Sequence, residues 1–242
     1  MSNEYFDEFN MPQKKLTVAQ RKEQIKELKK QLIASGILLE PITLSGQKIA
    51  NKFWGKAWCD NLDTIAEYHS RLKVAKNYLR HGAVVDLKIN DNTVTALVSG
   101  SELYNVEIIF KKLDQYATEE FATAVNGKIN SIIDLLNGNF SDEIMSIICH
   151  EDYGIFPQEN DLIITCNCPD YTDVCKHVAA VMFALSIKFD ENPALIFQLR
   201  NVHTQNLISS EKIIFPDTDN HVESPHDNLS LDDALEMFDF ET

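Results

Sequence analysis

Twelve residues, Cys166-Asn167-Cys168-Pro169-Asp170-Tyr171-Thr172-Asp173-Val174-Cys175-Lys176-His177, hold three of the five cysteines of this chain and one histidine. The order is Cys-x-Cys, a gap of six residues, and Cys-x-His. Three thiolates and one imidazole suit a tetrahedral zinc ion, and four protein ligands leave no open position on it. The spacing therefore predicts one structural zinc ion, held by Cys166, Cys168, Cys175 and His177. The alternatives are ordinary buried cysteines or a disulfide between near neighbours.

The flanks of this motif have the local chemistry of a strand-turn-helix module. Asp161–Thr165 is short and β-prone, and Pro169-Asp170 favours a turn. Asp173 is a candidate N-cap for a helix that opens at Val174. Its apolar stripe is predicted from helical spacing and consists of Val174, Val178, Val181, Met182, Leu185 and Phe189.

The ligand order at a helix start resembles the SWIM zinc finger, a family named after Swi/Snf ATPases and MuDR transposases. Phe53–Trp58 resembles the WGKAW segment of bacterial SWIM-finger proteins, and Arg80–Leu87 with Val94–Ser101 resembles their central sheet. Asn192–Arg200 resembles the helix after the finger. The resemblance covers roughly residues 45–201. It implies work beside nucleic acid, with a Swi/Snf-like DNA-translocating ATPase or helicase as the partner.

Periodicity predicts an α+β fold, in which an antiparallel β-meander packs with helices and the zinc module is appended. Apolar residues alternate with other residues in three runs that begin at Ala83, Val94 and Tyr104, and this pattern predicts three strands. The turns between the runs are short, so neighbouring strands must be antiparallel. Helical spacing from Leu113 to Leu136 predicts one helix that stops at Gly138. The segments are 1–45 (basic helix and linker), 46–150 (α+β domain), 151–201 (finger and following helix) and 202–242 (acidic, largely disordered tail).

Charge is distributed unevenly along the 242 residues, whose formal net charge is −15. Residues 1–90 contain 15 Lys or Arg and 10 Asp or Glu, whereas residues 91–242 contain 7 and 27. A negative net charge disfavours a function in which the protein coats nucleic acid. It is still compatible with a basic patch in the first half of the chain. The absence of a secretory signal and of a bilayer-spanning apolar run predicts no membrane association and a cytoplasmic location, with nucleoid association as an open alternative.

Two basic stretches are candidate phosphate contacts. Thr17 and Gln20 form a capping-box pattern before a basic helix ending near Ser35. The favoured interpretation of this helix is a solvated helix that docks through its narrow apolar stripe, and a nucleic-acid arm is the alternative. The second stretch contains Arg71, Lys73, Lys76 and Arg80. An equally favoured interpretation is that it is a solvated loop before the first strand. Trp54 and Trp58, four residues apart, share a helix face; we expect core anchors, with a base-stacking platform as the alternative.

The last residues suggest a partner-docking segment. No Lys or Arg follows Lys212, and Leu231, Leu235 and Phe238 recur at helical spacing among acidic residues. A segment of this kind folds when it docks on a basic, grooved partner, or it packs on its own domain.

Motifs for catalysis are not found: the sequence lacks a Gly-rich phosphate loop, a Gly-x-Ser-x-Gly elbow and a His-Glu-x-x-His pair. We therefore expect no enzyme but a zinc-binding adaptor that acts through protein contacts, reaching DNA directly or through its partner. The alternative function is direct DNA or RNA binding by the basic N-terminal half. A third and weaker reading is an enzyme with a site at Cys59 and His69.

Overall fold

A computed structural model describes residues 17–203, except 45, 127, 129–131, 139–140, 151, 171 and 173. The tail positions Leu231, Leu235 and Phe238 lie outside the described residues. The helices are α1 Val18–Ala34, α2 Phe53–Thr64, α3 Ala66–His81, α4 Gln115–Val125, α5 Ile132–Asn137, α6 Asp142–Ile148, α7 Lys176–Glu191 and α8 Ala194–Leu199. The strands are β1 Val84–Asn90, β2 Thr93–Ser99, β3 Leu103–Phe110 and β4 Leu162–Cys166.

The sheet is antiparallel, with the strand order β1-β2-β3-β4. The predicted meander supplies β1 to β3, and the strand before the first cysteine joins it as β4. Val106 of β3 is paired with Cys166, the last residue of β4. One end of the zinc motif is therefore a continuation of the main sheet. This confirms the α+β fold class and adds a fourth strand to the predicted meander.

Helix α7 is the central element of the core. Eleven of its sixteen residues are buried, so its buried side chains lie on nearly all sides of the helix instead of forming one stripe. It packs against α2, α3 and the inner face of the sheet. Gly55 of α2 is required at the crossing with α7, because an added Cβ would collide with the carbonyl oxygen of Ser186.

Both tryptophans of α2 are core anchors, as expected. Trp54 and Trp58 are 1 % and 0 % exposed, and each indole N–H donates to a backbone carbonyl. The acceptor for Trp58 is Met182 of α7, at 2.7 Å. Neither ring can therefore stack on a nucleic-acid base.

The basic helix α1 has the predicted capping box, formed by Thr17 and Gln20. It contacts α3, its residue Ile25 is buried in the core, and it is followed by a segment that runs beside β1. In that segment the backbone N–H of Ile42 donates to the Val84 carbonyl at 3.1 Å. One edge of the sheet is thereby covered.

Three local predictions differ from the structure. The helix predicted from Leu113 to Leu136 is two helices, because α4 ends at Val125 and the backbone of its C-cap, Asn126, is extended (ψ 131°). The stretch 71–80 belongs to a helix, α3, instead of a loop. Helix α7 begins at Lys176 rather than Val174, and Cys175 is its N-cap. No helix in the described part of the chain has the length and apolar character needed to cross a bilayer.

Candidate metal centre

The four predicted zinc ligands meet where β4 ends and α7 begins. Cys166 closes the strand, Cys168 follows two residues later, Cys175 caps the helix and His177 lies in its first turn. Their ligand atoms all lie within 4.8 Å of one another. The Nδ1 atom of His177 is 3.9 Å from both the Cys166 and the Cys175 sulfur. A tetrahedral zinc site with three sulfurs and one nitrogen has edges of about 3.5–3.8 Å, so the arrangement fits this ion.

Hydrogen bonds hold the two ends of the loop. The backbone N–H of Asn105 donates to the side-chain oxygen of Asn167 at 2.8 Å, which extends the β3–β4 pairing past Cys166. The Asp170 carboxylate accepts from the backbone and the hydroxyl of Thr172. The sulfur of Cys175 accepts from the N–H of Val178 at 3.4 Å. A thiolate is stabilised by such a donor at a helix N-terminus.

Contacts around the His177 ring set its orientation. Tyr104 packs on one face at a centroid distance of 4.3 Å, and Tyr78 meets it edge-on at 5.6 Å. A Cβ at Gly100 would lie 2.8 Å from Nε2, so only glycine leaves room for the ring here. Nε2 is buried without a hydrogen-bond partner among the described residues. The ring therefore presents Nδ1, the atom free to bind a metal, to the sulfurs.

Burial sets the protonation states of the ligands. Desolvation, followed by the positive charge of Lys176, lowers the pKa of His177 to about 4. The imidazole is thus neutral at physiological pH, as a metal ligand must be. Desolvation raises the pKa of Cys166 to about 12 and also raises the pKa of Cys175. Zinc must therefore displace thiol protons, and its binding releases protons.

Zinc retention is expected to fall as the pH drops from about 6.5 towards 4. In this window the unfolded chain protonates His177 while the folded chain does not, so the stability that the neutral ring provides above pH 6.5 is lost. Loss of thiolate ligands to protons acts in the same direction. Bound zinc can be measured with a chromogenic chelator after dialysis at stepped pH. His69→Gln, at an exposed histidine, should leave the profile unchanged; full zinc retention at pH 4 would contradict this assignment.

The structure separates one of the predicted basic residues from the other three. Lys73, Lys76 and Arg80 lie on one face of α3, spaced by three and four residues. Arg71 lies on another side, near the zinc loop. Hydrogen bonds from the Thr172 hydroxyl and backbone N–H, followed by the charges of Arg71 and Lys176, hold the pKa of Asp170 below its ordinary value.

The two remaining cysteines lie outside the cluster. Cys149 is exposed, and Cys59 is half-buried beside Ser186. Desolvation is the main cause that raises the pKa of Cys59 to about 11, so its thiol is protonated at neutral pH and a poor nucleophile. His69 is hydrogen-bonded to Asp63 at 2.9 Å.

Sequence reasoning missed the residues that orient His177. Gly100 was part of a predicted turn, and Tyr104 was part of a predicted strand. Their position against the histidine depends on the packing of α7 on the sheet. No local pattern in the sequence reports that contact.

Comparisons with known proteins agree with this geometry. The family model of the SWIM zinc finger matches residues 152–186. The chain is similar to the uncharacterized protein Rv2102 of Mycobacterium tuberculosis, with 32% identity over 168 residues, which is 67% of this chain and 59% of that protein. This chain thus spans less than two thirds of the relative's length. No solved structure gives a significant match. The chain therefore carries a SWIM zinc finger at residues 152–186, whose three cysteines and one histidine hold one structural zinc ion.

Proposed function

We propose that the chain is a non-catalytic adaptor that binds protein, and that its partner is a Swi/Snf-like DNA-translocating ATPase. The observation that carries the proposal is the closed metal site. Four protein ligands occupy all tetrahedral positions, and Cys175 and His177 are each only 1 % exposed. Such a site has no position for a substrate or an activated water, so the zinc serves the fold.

The strand next to the finger offers a surface for a protein partner. In the described part of the chain, β4 pairs only with β3, so its other edge has unpaired backbone groups. Ile163 on this strand is 64 % exposed. Open strand edges bind extended segments of partner proteins, and an exposed apolar side chain adds a contact. The zinc ion fixes the end of this strand through Cys166.

The family resemblance supports the choice of partner. SWIM fingers take their name from Swi/Snf ATPases, and the finger in this chain supports a role in interaction. A partner that moves along DNA would bring this acidic protein to nucleic acid, so the protein itself would not need a positive net charge. We place this assembly in the cytoplasm, where thiolate ligands stay reduced.

Binding of the two purified proteins tests this proposal. The full zinc-loaded chain and the Swi/Snf-like ATPase of the same host are mixed after nuclease treatment, and affinity is measured by biolayer interferometry. Ile163→Glu is expected to weaken binding about tenfold or more, because a charge at the centre of an interface must be desolvated. Ile33→Glu is the matched control, since Ile33 is 60 % exposed on α1. No binding by the unmodified chain, or equal effects of both variants, would refute the adaptor function.

A further inference from the structure

A cleft opens between α2, α3 and the loop that precedes α2. Its volume is about 340 Å³, and three lysines from these three elements line it: Lys48, Lys56 and Lys76. Leu72 and Phe183 provide apolar lining. The lysines are far apart in sequence, and only the packing of α2 and α3 brings them together.

Positive charge exceeds negative charge in this cleft. Among the residues that the structure describes, none of the three lysines forms an ion pair or a hydrogen bond through its side chain. Lysines on other surfaces do: Lys112 pairs with Asp91 and Lys128 with Glu143. Two carboxylates, those of Asp60 and Asp63, also line the cleft, so the three lysines leave a net charge of +1 there. An excess of free cations in a concave site attracts an anion.

The cationic surface continues beyond the cleft along α3. Lys73 and Arg80 lie on the same helix face as Lys76, and together the three span eight residues, about 10 Å of helix. The guanidinium of Arg80 donates to the carbonyl of Gln47 at 3.3 Å, which places it next to Lys48. A row of this length exceeds a single phosphate group. Its natural ligand is a chain of phosphates.

We propose that the cleft of Lys48, Lys56 and Lys76, extended by Lys73 and Arg80, binds the phosphate backbone of double-stranded nucleic acid. Lysines act as point charges and contact phosphates without reading sequence. Proteins that bind single strands add aromatic side chains on which bases stack. The aromatic residue of this cleft, Phe183, is fully buried and cannot do so. The site is therefore a sequence-independent contact to a duplex, and it goes beyond the proposed binding of a protein partner.

Removing the three cleft charges tests this proposal. The full zinc-loaded chain is titrated against a fluorescent 20-bp DNA duplex, an RNA duplex and a single strand, at several salt concentrations. We expect duplex binding with a slope of log affinity against log salt of about −4.5, since five cations each contribute about −0.9. In K48Q/K56Q/K76Q the slope should shrink by about 3 units and the affinity at 50 mM salt should fall at least tenfold.

A control with the same change of net charge isolates the cleft. K111Q/K112Q/K128Q removes three exposed lysines elsewhere and should bind the duplex like the unmodified chain. The proposal is overturned if the unmodified chain binds no duplex at low salt, if both triple variants lose equal affinity, or if the single strand or polyglutamate binds as tightly as the duplex. The cleft variant should still bind the nuclease-treated ATPase, so this site and the adaptor function can fail separately.

Discussion

Replacing Cys175 with serine is expected to abolish zinc binding and to lower the free energy of unfolding by about 5 kcal/mol or more. Structural zinc in zinc-finger peptides binds with about 10–16 kcal/mol at neutral pH, which is as large as the stability of a typical domain. Cys175 is a ligand and also the N-cap of α7. A serine hydroxyl can still cap the helix, but it is a poor ligand for zinc. The loss of stability therefore measures the contribution of the metal–sulfur bond rather than that of the cap.

Loss of the metal should destabilise the core, because α7 connects the metal site to the core. This helix packs on α2, α3 and the sheet, and its first turn contains His177. Urea denaturation in zinc-containing buffer gives the loss in free energy, and near-UV circular dichroism reports the aromatic packing. Cys149→Ser is the matched control, since Cys149 is exposed and outside the cluster. Equal stability of the Cys175→Ser variant and the unmodified chain would show that the metal does not hold the fold.

Truncating Trp58 to alanine should cost about 3–5 kcal/mol, the range for removing a fully buried aromatic side chain. Its ring is 0 % exposed and packs against Phe110, Phe156 and Phe189 at centroid distances of 5.1–6.2 Å. The indole N–H also donates to the Met182 carbonyl at 2.7 Å. One side chain thus joins α2, α7 and the sheet.

Two further variants separate packing from surface effects at this position. Trp58→Phe keeps most of the apolar volume and loses the hydrogen bond, so its cost should be clearly smaller than that of alanine. Tyr116→Ala removes an aromatic ring that is 73 % exposed, and its effect should stay within about 0.5 kcal/mol. Denaturant midpoints measure all three. A cost below about 1 kcal/mol for Trp58→Ala would mean that the two helices are not joined through this ring.

Local chemistry explains which parts of this molecule were predictable. The zinc ligands are close in sequence, so their spacing alone predicts the site. Strands β1 to β3 are joined by short turns, and the alternation of Val94, Ala96 and Val98 predicts which face is buried. The capping box of Thr17 and Gln20 depends on four neighbouring residues.

Features that depend on distant contacts were missed. Pairing of Cys166 with Val106 joins residues sixty positions apart, so the segment was predicted as a strand but its place in the sheet could not be. We expected one apolar stripe on α7, but the helix is buried on nearly all sides. Helices α2 and α3 and the sheet all pack against it. The cleft of Lys48, Lys56 and Lys76 likewise exists only after α2 and α3 have packed.

Elemental analysis of the purified chain tests the central claim most directly. We predict one zinc ion per chain after extensive dialysis at pH 7.5, and none in the Cys175→Ser variant under the same conditions. A chain that is folded, with intact near-UV circular dichroism, yet contains no stoichiometric zinc would contradict the assignment of Cys166, Cys168, Cys175 and His177 as a structural metal site.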